Sequence, residues 1–178
     1  MNKRSLHVIF LLLLGGVFVV HAGRPVFHDM SLEELIGQSN AIVVVRKSDP
    51  FEVKGKKISE DCQELKWRFK IVEILYQGSR SPSGGPPLKN EESKTLKVGE
   101  EIEVLHNALE IQDCLNRLQN ESGYSFSANR YKSSDPTAIN REKELILFVI
   151  VHKDSTELTV EQAYEPISSK DKILRLLK

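Results

Sequence analysis

Leu65-Lys66-Trp67-Arg68-Phe69-Lys70-Ile71-Val72-Glu73-Ile74-Leu75-Tyr76 is the stretch on which the fold turns. Leu65, Trp67, Phe69 and Ile71 alternate with Lys66, Arg68 and Lys70, the period-two pattern of a strand with one face on a core. At Ile71-Val72 the alternation slips, and Val72, Ile74 and Tyr76 become the apolar set. A bulge produces such a slip, and bulges bend a long strand enough for it to serve both sides of a barrel.

Upstream, Ala41-Ile42-Val43-Val44-Val45 is a continuous, mostly β-branched run, which predicts a strand buried on both faces and stopped by Ser48-Asp49-Pro50. Before it, Ser31 and Glu34 have capping-box spacing, with Met30 and Leu35 placed for a hydrophobic staple. A helix follows with Leu32, Leu35 and Ile36 on one face, ended by Gly37 or Asn40.

Downstream, residues 78–97 read as a mobile loop around Gly84-Gly85-Pro86-Pro87. Glu101 to His106 is the third strand, with Ile102, Val104 and His106 on one face. Ala108, Ile111, Leu115 and Leu118 then form a single helical stripe. Residues 120–140 read as a second mobile polar loop. Leu145 to Val151 is the most deeply buried strand predicted, and a last strand has Leu158, Val160 and Gln162 alternating with Thr159, Glu161 and Ala163. A terminal helix from about Ser169 carries Ile173, Leu174 and Leu177 on one side.

Between the terminal helices the order is strand, strand, strand, helix, strand, strand. That is the order of the OB-fold, a five-stranded small barrel whose helix plugs one end. An open α+β sheet is the alternative, because order alone does not close a barrel.

The first 22 residues read as a secretory signal peptide. Lys3 and Arg4 precede an apolar run of 13 residues, Val8 to Val20, interrupted by Gly15-Gly16 and followed by Val20-His21-Ala22. An uncleaved anchor is the alternative, for which the run is short. Cleavage would leave 156 of the 178 residues, Gly23 to Lys178, as one domain. The leader holds two of the 25 basic residues and none of the 25 acidic ones, so the remainder has a formal net charge of −2. That balance argues against nucleic acid, or a membrane after cleavage, as partner. The expected state is a monomer, secreted or periplasmic.

Cys62 and Cys114, in an oxidising compartment, predict one disulfide closing a loop of about 50 residues, a contribution of roughly 3–4 kcal/mol in the chain-entropy description. The other option is reactive thiols, for which neither cysteine has the spacing.

With export, the Leu32-Glu33-Glu34-Leu35 helix, the Ala41–Val45 strand and the Trp67-x-Phe69-x-Ile71-Val72-Glu73-Ile74-Leu75 strand in place, the chain resembles secreted bacterial OB-like domains. These are similar in architecture to netrin-like modules and the tissue inhibitors of metalloproteinases. The resemblance covers most of the chain after Ala22. In the tissue inhibitors an N-terminal cysteine presents its amine and carbonyl to the protease zinc. Here the expected first residue is Gly23 and the nearest cysteine is Cys62, so no inhibitory residue carries over.

Chemistry-bearing constellations are sparse. His28, His106 and His152 stand singly, with no close ligand pair, so no metal or other cofactor is expected. There is no GxSxG elbow and no phosphate-cradling GxxxxGK loop, and Glu100, Glu101 and Glu103 read as a solvated acidic run. No catalytic residue is assigned.

Two surfaces are candidates for binding. Lys66, Arg68 and Lys70 line the outer face of the second strand, as a ligand surface or as charge that keeps the strand soluble. Tyr124, Phe126 and Tyr131 alternate with small polar residues, as a recognition loop or a flap packed on the barrel. Asn120-Glu121-Ser122 fits a glycosylation acceptor in a eukaryotic secretory pathway. The expected function is a non-enzymatic exported domain that binds a protein or other ligand at the envelope or outside the cell. The alternatives are an inhibitor of a secreted protease and a hydrolase whose residues converge from distant positions.

Overall fold

The first helix is set by its cap. Ser31 Oγ accepts from the Glu34 amide at 3.2 Å, while the Ser31 amide donates to Glu34 Oε2 at 2.7 Å. Helix α1 (Leu32–Gln38) buries Leu32, Leu35 and Ile36, and Ser39 closes it as C-cap.

The structure is a computed structural model that describes residues 26–60, 62–78, 94–118 and 127–178. The predicted leader, the Gly84-Gly85 segment, Asn120, Tyr124 and Phe126 lie outside the described residues.

After β1 (Val26–Met30) and α1 come β2 (Ala41–Lys57), β3 (Gln63–Gln77), β4 (Glu101–Leu105), α2 (Ala108–Leu118) and β5 (Ser127–Tyr131). They are followed by α3 (Ala138–Arg141), β6 (Glu144–Val151), β7 (Thr156–Leu158), β8 (Tyr164–Pro166), a 3₁₀ turn (Ile167–Ser169) and α4 (Lys170–Leu176). The architecture is mainly β. Its pairings run β2-β3-β4-β7-β6, and β6 pairs again with β2, so the ladder returns on itself. All are antiparallel except β4 with β7. β8 takes the first half of the β6 edge whose second half holds β7.

Residues 41–45 are buried, as their unbroken apolar run requires, and so are Phe69, Ile71, Val104 and residues 145–149. The slip in β3 is a bulge: Ile71 faces Val45 and Glu73 faces Val44, leaving Val72 as the extra residue.

Three expectations are corrected. The first strand continues past Ser48-Asp49-Pro50 to Lys57. Lys47 faces Phe69 and Glu52 faces Trp67, so the turn-forming residues are absorbed as an irregularity in the ladder. Pro50, which lacks an N–H, sits where pairing lapses. The last strand does not run through Gln162. Gln162 has φ 59°, and the Ala163 amide bonds to the Val160 carbonyl at 3.2 Å. This turn divides the segment into β7 and β8. The second loop ends early, because Ser127–Tyr131 pairs in parallel with β1 and residues 138–141 form α3. In the first loop, Leu96 is buried in the core, and Gly99 (φ 87°) makes the turn into β4.

Candidate functional site

Two asparagines extend the barrel ladder with their side chains. Asn107 Oδ1 accepts from the Leu65 amide at 2.8 Å, and its Nδ2 donates to the Gln63 carbonyl at 3.0 Å. Asn40 grips both backbone groups of Val151 in the same way, at 2.8 and 3.0 Å. The Asn107 clamp fixes the start of α2 against β3, and six residues beyond the helix start the Cys62–Cys114 disulfide fixes it again, with Cα atoms 6.1 Å apart. Helix α2 is thus held at two points against the end of the β2–β3 hairpin.

Beyond that hairpin, α2 forms one wall of a groove of about 610 Å³. The opposite wall is the β1–β5 ribbon, with Phe27, Ala128 and Asn129, and the floor includes Leu105, Ile150, Leu158 and Val160. The volume falls in the range typical of ligand pockets. Two smaller cavities, of about 390 and 470 Å³, lie beside the disulfide and beside Asn40.

Glu110, Asp113, Glu157 and Glu161 stand around the floor, and no lysine or arginine is among the described lining residues. Glu157 Oε1 lies 3.1 Å from His152 Nε2. Arg130, beside the lip, bonds Asp29 at 2.6 Å and lies over the exposed Phe27 ring, 5.4 Å from its centroid. His106, also at the groove, stacks on Trp67 with centroids 4.2 Å apart, and Phe51 covers the other side at 5.7 Å. Burial pushes the His106 imidazole below its ordinary pKa, against the opposing pull of Glu52 and Glu110.

The cationic row is placed on the outer face of β3 but is interleaved with acids. Lys66 pairs with Glu64 at 3.2 Å and Arg68 with Glu103 at 2.9 Å. Lys70 faces Glu101 on β4 and Arg46 on β2, and Arg46 in turn bonds Glu144 at 2.5 Å. Charges of both signs therefore alternate across the face.

Tyr131 is turned inward, leaving 8% of its surface exposed. Its hydroxyl donates at 2.6 Å to Glu165, a carboxylate 1% exposed. The Ser134 amide and the Ser169 hydroxyl add bonds at 2.8 Å each, and the Ser134 hydroxyl adds another. This cradle ties β5 and the following loop to β8 and the 3₁₀ turn. Desolvation, then the bond to Glu165, pushes the Tyr131 phenol far up. Sequence reading missed Glu165, because one acid in Tyr164-Glu165-Pro166 carries no signal of burial.

The three histidines among the described residues have separate surroundings. His28 is exposed on β1, His106 is stacked on Trp67, and His152 is beside Glu157. Among the described residues no group of three or more His, Cys, Asp or Glu is placed to hold a metal ion, and no helix is long and apolar enough to cross a membrane. Comparison with protein-family models, curated proteins and solved structures returns no match to this chain.

Proposed function

We propose that the chain is an exported, non-enzymatic binding domain on an OB-fold-like barrel, working in the periplasm or outside the cell through the groove between α2 and the β1–β5 ribbon. Three supports bear on this reading. Taking β2, β3, β4, β6 and β7 as strands one to five, the ring runs one-two-three-five-four-one, with strands three and five parallel and α2 between three and four. The Cys62–Cys114 disulfide suits an oxidising compartment. The leader-like first 22 residues supply the export signal.

The observation that carries the site is the groove itself: an apolar floor of ligand-sized volume with polar groups at its edge. The β3 outer face is the weaker candidate, since its lysines and arginine alternate with Glu64, Glu101 and Glu103.

The test is a photo-cross-linking residue placed in living cells at Ala128, inside the groove, or at Lys70, on the charged barrel face. Adducts from Ala128 and none from Lys70 are expected. Adducts from neither position refute the binding reading, and adducts from Lys70 alone move the site to the barrel face. Recovered protein should begin at Gly23 and lie outside the cytoplasm; an intact leader in the cytoplasm refutes export.

A further inference from the structure

We infer that the groove receives a segment of another polypeptide in which lysine or arginine alternates with apolar side chains. This rests on the groove being the binding site and adds the chemistry of what fills it. The floor, from Leu105 on β4 to Leu158 and Val160 on and after β7, offers apolar surface that a partner's aliphatic side chains would take out of water. Around it the carboxylates come from separate places: Glu110 from one wall, Glu157 and Glu161 from the floor strand and the turn after it.

Charge at the rim steers and selects a partner more than it adds affinity, and a wrong-sign partner is excluded by like-charge contact. An anionic or phosphate-bearing ligand would meet Glu110, Glu157 and Glu161, with no lysine or arginine among the described lining residues to receive it. Arg130, at the lip, is engaged by Asp29 and lies on Phe27. A single small cation satisfies one carboxylate and leaves the floor wet. A chain with basic groups on either side of apolar ones meets the separated acids and the floor at once. The two walls, one held by the disulfide and the Asn107 clamp and the other by five-residue parallel pairing, present the groove ready-made, which limits the ordering cost of binding.

The test uses the purified, disulfide-intact protein and three fluorescein-labelled synthetic peptides: alternating lysine and leucine, alternating glutamate and leucine, and alternating lysine and serine. Fluorescence anisotropy should show binding of the lysine–leucine peptide alone. Amide chemical shifts should move at Leu105, Leu158 and Ala128. Glu110→Lys with Glu161→Lys, both on exposed positions, should weaken it by about tenfold or more at unchanged melting temperature. Equal binding of the glutamate–leucine peptide, unchanged affinity in the charge-reversed variant, shifts confined to the β3 outer face, or no binding would each overturn the inference. Cross-links from Ala128 that persist in cells while the lysine–leucine peptide fails would sink this chemistry and leave the binding reading standing. Loss of both sinks the two together.

Discussion

Replacing Glu165 by alanine should destabilise the protein by about 2–3 kcal/mol, and the reasoning can be followed bond by bond. The carboxylate is 1% exposed and accepts from the Tyr131 hydroxyl, the Ser134 amide, the Ser169 hydroxyl and the Ser134 hydroxyl. Deletion orphans donors, and a buried donor without a partner costs about 1–3 kcal/mol. Tyr131, 8% exposed, bears most of that. The Ser134 and Ser169 hydroxyls lie nearer the surface and find water. Relief from holding a carboxylate out of water offsets part of the loss. Glu165→Gln should cost less, about 1 kcal/mol, because the amide oxygen still accepts from Tyr131 and both serine hydroxyls can reverse their roles.

Urea unfolding followed by far-UV circular dichroism and by Trp67 emission gives the free energies. Trp67 is the single tryptophan, so its emission reports one place. The decisive quantity is the double-mutant cycle with Tyr131→Phe. Removing the phenol hydroxyl abolishes the orphan that Glu165→Ala creates, so the double variant should fall short of additivity by about 1 kcal/mol or more. Strict additivity, or a Glu165→Ala cost within about 0.5 kcal/mol of zero, would refute the account.

Reduction, or Cys62→Ser with Cys114→Ser, should remove about 4 kcal/mol for a separation of 52 residues, so equal melting with and without reductant argues against the bond. The depressed pKa of His106 means that the unfolded chain binds the proton more readily than the folded one. Stability should therefore fall as pH drops below about 6.5 toward the lower folded value, a slope that His106→Asn should flatten in thermal melts; an unchanged slope refutes the assignment. Asn107→Ala should cost about 2 kcal/mol through two lost bonds to β3 and speed hydrogen exchange at the Leu65 amide; protection equal to wild type would contradict the clamp. Ser31→Ala should cost about 1 kcal/mol by urea titration, and no change would show the capping box to be idle.

What could be read from residues alone followed local physics. The capping box, the buried 41–45 run, the bulge at Ile71–Val72 and the alternation of β3 each depend on neighbours a few positions away. Features set by distant pairing were illegible. Val26–Met30 and Ser127–Tyr131 have no clean alternation, yet they pair in parallel across about a hundred residues. The break at Gln162 needs a positive φ that a glutamine does not announce. Lys66, Arg68 and Lys70 were visible as a row, but the acids opposite them on β4 depend on register. The groove draws on β1, β4, α2, β5, β6 and β7, so no stretch of sequence displays it.

The closing seam of the barrel bears on how the chain reaches its fold. Arg46 on β2 bonds Glu144 on β6, partners 98 positions apart, and β2 has no neighbour on that edge until β6 arrives. On the proposed export, a chain threaded outward from its N-terminus would deliver residues 41–45 early, as an apolar edge awaiting a partner still inside the cell. Such a strand is sticky toward other chains until it is covered. High contact order also slows the final closure. Efficient secretion would then depend on a holdase guarding the early hairpin, and shortening the chain before Glu144 should divert the product into aggregates.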